Sequence, residues 1–487
     1  MAKSRRDFLK LTGLLGTGVA LGPFNGFSRQ EHKILNERVR SSAGRAPAKF
    51  NMCGYRAPKL DTVRIGFVGL GNRGAAAVPR INFIDKVSIA GLCDIRPERV
   101  ALAEQSIKGS SHHPAIYSGK ENGWMELCER DDIDVIYIAT PWNLHVPVAT
   151  YAMKHGKHVA LEVGNAESID ECWELVNASE NNKRHCIFLE NCCYDFFELL
   201  TWNMARQGFF GEIIHCEGAY IHNNVESLFD EEARYKLWRL KENIKGSGNL
   251  YPTHGLGPVS KIMNINRGDH FDHMVSMSGN DFTMKGLEAK SYKKDPAVFK
   301  KFLDDKFRGN MNTSVIRTGK GKTIMLQHDV SSLRVYSRIH MVSGTKGSAL
   351  KYPLPGRVST SHEDWFTDAQ MKELEDTYTL PIVRRLGEMA QQIGGHGGMD
   401  FLMDWRWVDC LRNGLPIDHD VYDAALWTSI GPLSKWSVAN KSASIDVPDF
   451  TRGRWQTNAP GDYSIDHGNL TPVKKVTAAA NQMDLTH

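Results

Sequence analysis

The chain has 487 residues, 60 Lys+Arg against 56 Asp+Glu, a formal net charge of +4 and 41% hydrophobic residues. So small a charge imbalance excludes a protein that binds nucleic acid mainly through its phosphates, and the apolar content excludes a disordered or collagen-like chain. The length accommodates two to three domains with large cores.

The first thirty residues read as an address rather than as fold. Arg5-Arg6-Asp7-Phe8-Leu9-Lys10 precedes a short, Gly-rich apolar run from Leu11 to Leu21, the layout of an export signal. The paired arginines resemble the twin-arginine signal of bacteria, which implies export of the folded chain by the twin-arginine translocation machinery, to the periplasm. The run is too short for a hydrocarbon core that takes about 20 helical residues, and no stable membrane span is expected elsewhere. Residues 1–30 hold five basic residues against one acidic, so the net charge belongs to this leader. Residues 31–61, polar with scattered Pro and Gly, are expected to form a linker or wrapping arm.

From Thr62 strands and helices alternate. Val63–Gly69, Val87–Asp94, Asp134–Thr140, His158–Val163 and His185–Asn191 read as buried strands. Ala75–Ile84, Arg96–Gln105, Trp124–Glu129, His145–His155 and Ile169–Asn182 read as helices. Repeated units of this kind predict a parallel sheet covered on both faces over 62–195. Beyond Phe196, extended segments at Glu212–Ile221, Thr323–Asp329 and Arg334–Val342 predict an open, mostly antiparallel sheet, with helices at Met399–Asn413 and Tyr422–Ser437. A second α/β domain is thus expected over 196–448, followed by an aperiodic tail over 449–487. The nine cysteines form no CxxC pair, so they are expected to be buried thiols without a zinc site or disulfide framework.

The chemistry concentrates after the strands. Gly69-Leu70-Gly71-Asn72-Arg73-Gly74 closes the first strand and opens a helix, the context in which GxGxxG marks a dinucleotide site. Its glycines allow a tight turn, close approach of backbone to a pyrophosphate, and helix–strand packing. Asp94 ends the second strand, where a carboxylate accepts from ribose hydroxyls and repels a 2′-phosphate, so NAD is favoured over NADP. Trp142 and His145 follow the fourth strand, Glu162 and Val163 the next, and Asn191 the last. Outside the strand ends, all five are expected along the cofactor.

These residues resemble the family of glucose–fructose oxidoreductase and inositol dehydrogenase, which implies a Rossmann domain followed by a C-terminal α/β domain carrying a sugar site. Ordinary dehydrogenases of that family carry Glu-Lys-Pro after the fifth strand and an Asp three residues before a His. This chain has Glu162-Val163-Gly164 and Tyr251-Pro252-Thr253-His254, lacking both lysine and aspartate. The strings EVGNA from Glu162, ENCCYDFFELL from Glu190, EGAYIHN from Glu217, LWRLKE from Leu237 and GNLYPTHGLGPV from Gly248 look like glycoside hydrolase family 109. That resemblance implies an NAD-dependent α-N-acetylgalactosaminidase whose substrate is a glycan with a terminal α-linked N-acetylgalactosamine. Its implied route is oxidation at carbon 3, proton loss from carbon 2, elimination of the aglycone, water addition and re-reduction. It further implies His254 as the carbon-2 base, Tyr251 assisting beside it, and Tyr220, Arg239 and Tyr336 as substrate contacts. The alternative is a periplasmic NAD(P)-dependent sugar dehydrogenase. A homo-oligomer is compatible with either. His396, in a glycine-flanked Gly394–Gly398 run, is not assigned, and no metal is expected.

Overall fold

The computed structural model describes residues 50–164, 166–463, 468 and 470–474. The predicted export signal, most of the 31–61 arm, Asn165 and most of the tail beyond 463 lie outside these residues.

The first sheet is built from β1 (Val63–Val68), β2 (Val87–Asp94), β3 (Ala115–Ser118), β4 (Val135–Ile138), β5 (His158–Leu161) and β6 (Cys186–Phe188), in the order β3-β2-β1-β4-β5-β6. All neighbours are parallel. The connecting helices are α1 (Asn72–Asn82), α2 (Pro97–Ser106), α3 (Gly123–Cys128), α4 (His145–Lys154) and α5 (Ile169–Asn182). Central strands such as VRIGFV and VIYI are buried nearly throughout, because helices cover both faces and a fully buried strand needs no polar alternation. The order reverses between β1 and β4, the point where such sheets hold ligands outside their carboxyl ends. β3 was not anticipated; its four residues, AIYS, are too few and too exposed to carry a strand pattern.

α6 (Phe196–Arg206) leads into an eight-stranded sheet. Its strands are β7 (Ile213–Ile221), β8 (Phe271–Ser278), β9 (Asn312–Thr318), β10 (Thr323–Asp329), β11 (Met341–Gly344), β12 (Ser348–Leu350), β13 (Arg357–Ser359) and β14 (Ile445–Asp446), with α7 (Thr253–Ile262) and α8 (Met284–Lys294) between β7 and β9. The order is β13-β12-β11-β7-β10-β9-β8-β14, and only β7 and β10 pair in parallel. β9 alternates buried and exposed residues, so one face of the sheet is covered, with α7 against β7. The expected strand Arg334–Val342 does not form as a unit. Ile339 and His340 take positive φ (59° and 48°), which breaks the extended run, and Arg338 turns inward to Glu198 at 2.8 Å and Asp195 at 3.0 Å.

Four helices close the chain: α9 (Asp368–Tyr378), α10 (Pro381–Ile393), α11 (Met399–Asn413) and α12 (Val421–Ala439). α11 packs against α1 and β1, and α12 against α5, so the C-terminal helices return to the first sheet. Residues 50–60 wrap over them: Leu60 N donates to Leu411 O at 3.1 Å, and Met52 N to the Tyr422 hydroxyl at 3.2 Å. All nine cysteines are free thiols and eight are buried. No helix among the described residues is long and apolar enough to cross a membrane.

Candidate functional site

A cavity of about 480 Å³ opens at the carboxyl ends of β1, β2, β4 and β5. Gly69, Gly71, Asn72, Arg73, Asp94, Trp142, His145, Glu162 and Val163 all line it, together with Arg239 and Tyr251 from the second domain. Gly69 has φ 89°, and a Cβ on Gly74 would stand 1.9 Å from the Gly69 carbonyl oxygen, so this turn closes only with glycine at both positions. A Cβ on Gly71 would meet nothing nearer than 4.0 Å, leaving open space before the α1 N-terminus, which has no side-chain cap. Uncapped amides at a helix start favour an anion. The Asp94 carboxylate is held at the rim by Leu70 N (2.7 Å) and Arg96 N (2.9 Å).

His145 begins α4 and donates from Nε2 to Thr140 O at 2.8 Å, leaving Nδ1 buried without a protein partner among the described residues. Burial brings its pKa down to about 4, so the ring is neutral and Nδ1 is an acceptor. An uncapped helix start, space above Gly71, a rim carboxylate and an orphaned acceptor together fit a dinucleotide. The missing lysine has a structural counterpart. Val163 is buried, and a Cβ at the next residue, Gly164, would lie 2.4 Å from Trp142 Nε1. The run after β5 therefore seats an indole rather than presenting an ammonium.

Arg73 ties the glycine loop to the far end of the chain. It donates to Glu162 Oε1 (2.9 Å) and to Asp400 Oδ2 (2.9 Å). Asp400, on α11, also accepts from Asn191 Nδ2 at 2.6 Å and meets His396 Nδ1 at 2.9 Å. Burial opposes ionisation of Asp400, but Arg73 and Arg80 outweigh it and hold the carboxyl well below its usual range. Asn191 thus positions Asp400 and does not line the cavity, and Gly74 lies beneath the turn. His396, unassigned from sequence, keeps Nε2 without a partner among the described residues on a half-exposed side chain.

The second domain supplies an aromatic corner. Tyr251 lies 4.7 Å from Tyr220, 4.8 Å from His254 and 5.9 Å from Trp142, as ring centroids. The Arg239 guanidinium sits over both Tyr251 (4.9 Å) and Trp142 (5.3 Å). α7 starts at Thr253, so Tyr251 precedes the helix rather than sharing a helical face with His254, and their rings meet edge to face. Tyr336 is one step further out: its ring touches His222 at 5.0 Å and its hydroxyl accepts from Arg338 at 2.9 Å. His222, absent from the sequence reading, meets the Tyr220 hydroxyl at 3.1 Å, and burial, then Arg239 and His254, bring its pKa down to about 4.

The partner of His254 was also missed. Glu190, fully buried after β6, places Oε1 2.7 Å from His254 Nδ1. Burial raises the Glu190 pKa, but the charge and hydrogen bond of His254 overcome it and the net shift is downward. An ionised Glu190 accepts from Nδ1–H, which leaves Nε2 as the basic nitrogen, a base oriented by a third group. Cys192 Sγ lies within 4.8 Å of both ligand atoms, but burial pushes its thiol well up. The trio is a hydrogen-bonded dyad beside a neutral thiol.

Residues 63–189 match the family described as "Oxidoreductase family, NAD-binding Rossmann fold", and residues 194–457 that described as "Glycosyl hydrolase 109, C-terminal domain". A glycosyl hydrolase family 109 protein 1 of Bacteroides fragilis is 46% identical over 421 residues, covering 83% of this chain and 89% of its own. An alpha-N-acetylgalactosaminidase of Bacteroides fragilis is 44% identical over 418 residues, covering 85% and 97%. Among solved structures, a levoglucosan dehydrogenase in complex with NADH and levoglucosan shares the fold at TM-score 0.60 and 17% identity, covering 80% of this chain and 100% of that one. An aldose-aldose oxidoreductase from Caulobacter crescentus does so at TM-score 0.57 and 15% identity, covering 79% and 100%. With NAD as the cofactor of its Rossmann domain and a family-specific second domain, this chain belongs to glycosyl hydrolase family 109.

Proposed function

We propose that the protein hydrolyses terminal α-linked N-acetylgalactosamine through oxidation at carbon 3, elimination across carbons 2 and 1, water addition and re-reduction. The observation that carries this reading is the Glu190–His254 dyad at 2.7 Å beside a dinucleotide cleft that has no lysine after Glu162. A conventional glycosidase needs two carboxylates flanking the bond; here a histidine base stands next to a redox cleft. The glycine loop, Asp94, Trp142, His145 and Glu162 would hold NAD. When bound, NAD supplies reversible hydride acceptance at carbon 3.

The chain's own residues carry the proton steps. Tyr251, whose hydroxyl burial keeps protonated far above the ordinary range, donates a hydrogen bond to the carbon-3 oxygen, whose own hydroxyl proton passes to solvent as carbon 3 is oxidised and returns on re-reduction. Nε2 of His254 takes the carbon-2 proton while Glu190 stabilises the resulting imidazolium. Arg239, stacked on Tyr251 and Trp142, directs donors toward the sugar oxygens, and Tyr220 and Tyr336 present ring faces to its apolar side. The departing oxygen takes its proton from solvent as water adds at carbon 1. Export of the folded, loaded protein through the leader fits a cofactor that is regenerated in every turnover.

An aryl α-N-acetylgalactosaminide incubated with the purified protein, without added cofactor, is the direct test. Phenol should be released over many turnovers. No release from protein shown to contain NAD would overturn the proposal.

A further inference from the structure

Most buried arginines among the described residues share one habit. Arg80, Arg267, Arg338, Arg406 and Arg452 each meet at least one carboxylate at 2.9 Å or less. Arg308 settles on the backbone carbonyl of Asn310. Arg234, half-buried, does not share the habit. It lines the dinucleotide cavity, its Nε is sequestered from solvent, and among the described residues its guanidinium has neither hydrogen bond nor ion pair. Its charged neighbour Arg239 also lacks a carboxylate and is satisfied only by ring faces. Burial, reinforced by Arg239, lowers the Arg234 pKa to about 10, the signature of a charge kept without a counter-ion. No carboxylate of the described residues pairs with it, Asp230 attracting it only at longer range, so an anionic ligand in the cavity would complete its pairing.

The segment that carries Arg234 identifies the ligand. Residues 229–245 leave the second domain and cross to the nucleotide domain at three places. Tyr235 lies under the Arg96 guanidinium (4.9 Å), Trp238 meets Trp142 edge to face (5.3 Å), and Lys245 pairs with Glu167 (3.1 Å). Arg96 follows Asp94 at the ribose end, and Trp142 stands at the Tyr251 end, so the strap spans the cavity lengthwise. Lys236 and Leu237 take positive φ (54° and 53°) to make this crossing, and Leu237 is buried as its anchor. A dinucleotide held there would carry its charge on the pyrophosphate, and Arg234, next to Tyr235 at the Arg96 end and with Tyr251 among its electrostatic neighbours, lies between the two ends.

We propose that Arg234 is the counter-charge to the pyrophosphate of the bound dinucleotide, carried on a strap of the second domain that clasps the cofactor in place. The test uses the full chain and does not depend on sugar turnover. Bound NAD is followed through gel filtration, and the stripped protein is titrated with NAD, with ADP-ribose, which keeps the pyrophosphate but lacks nicotinamide, and with adenosine, which lacks both. Arg234→Gln should weaken NAD and ADP-ribose about ten- to hundredfold, the range for a hydrogen bond to a charged group, and leave adenosine unchanged, which also reports that the variant is folded. Arg234→Lys, which keeps the charge, should recover most of the loss. If the Gln variant binds NAD and ADP-ribose as the native chain does, the proposal fails; a rise in KM for the sugar alone would then place the missing anion on the substrate.

Discussion

The site turns on which nitrogen of His254 is basic, and Glu190 decides that. With Nδ1–H donated to a buried carboxylate at 2.7 Å, the ring is fixed in tautomer and orientation, and Nε2 is its free nitrogen. His254 itself was legible in the YPTH string; Glu190 was not, because 64 residues separate the two and no spacing rule joins a strand end to the first turn of a later helix. His222 escaped for the same reason, since it is defined by the rings around it. Glu190→Gln should cut kcat by roughly 10–100-fold, as for loss of a partner that orients a functional histidine. A kcat within about twofold of the native value would assign Glu190 to packing alone. His254→Ala should lose about 10²–10⁴ in kcat, the usual contribution of a general base.

Elements differ in how plainly they were written. β1, β4 and β5 are continuous apolar runs, and their helices begin and end near the expected residues. The second sheet was legible in character but not in detail, because positive φ at Ile339 and His340 and the inward turn of Arg338 answer to tertiary partners. α9 carries a capping box of Thr367 and Gln370 and α10 opens on Pro381, signals that were present in the sequence and were passed over. The Arg73–Asp400 link joins residues 327 apart and could not be read from pattern. Asp400→Asn leaves Arg80 paired with Asp404 (2.7 Å) and Arg73 with Glu162 (2.9 Å), so the loss should be that of hydrogen bonds to a charged group rather than of a broken buried pair, about 2 kcal/mol, measured by urea unfolding. The His145 helix start adds a pH dependence. Its folded pKa, about 4, lies below the ordinary 6.5, so the unfolded chain binds the extra proton and stability falls as pH drops from 6.5 to 4. The gap in unfolding free energy between the native chain and His145→Gln should therefore narrow by roughly 3 kcal/mol across that window, whereas a constant gap would show that the ring is not held neutral.

At the scale of the molecule, the two sheets meet at one cleft, and both ends of the described chain brace it: residues 50–60 lie over α11 and α12, which themselves return to the first sheet. The alternation of strands and helices made the first domain legible, and shared strings spread over both domains made the family legible. How the last helices close back on the nucleotide domain was not legible, because such packing is set by complementary surfaces rather than by local periodicity. Residues of both domains line the cleft that the cofactor would occupy. The most direct measurement is turnover of an aryl α-N-acetylgalactosaminide in heavy water, with phenol, NADH and the released sugar followed together. Many phenols per bound NAD, no net NADH, and deuterium at carbon 2 of the released N-acetylgalactosamine are expected. Phenol release with hydrogen fully retained at carbon 2, or NADH accumulating in step with an oxidised sugar, would contradict the proposed function.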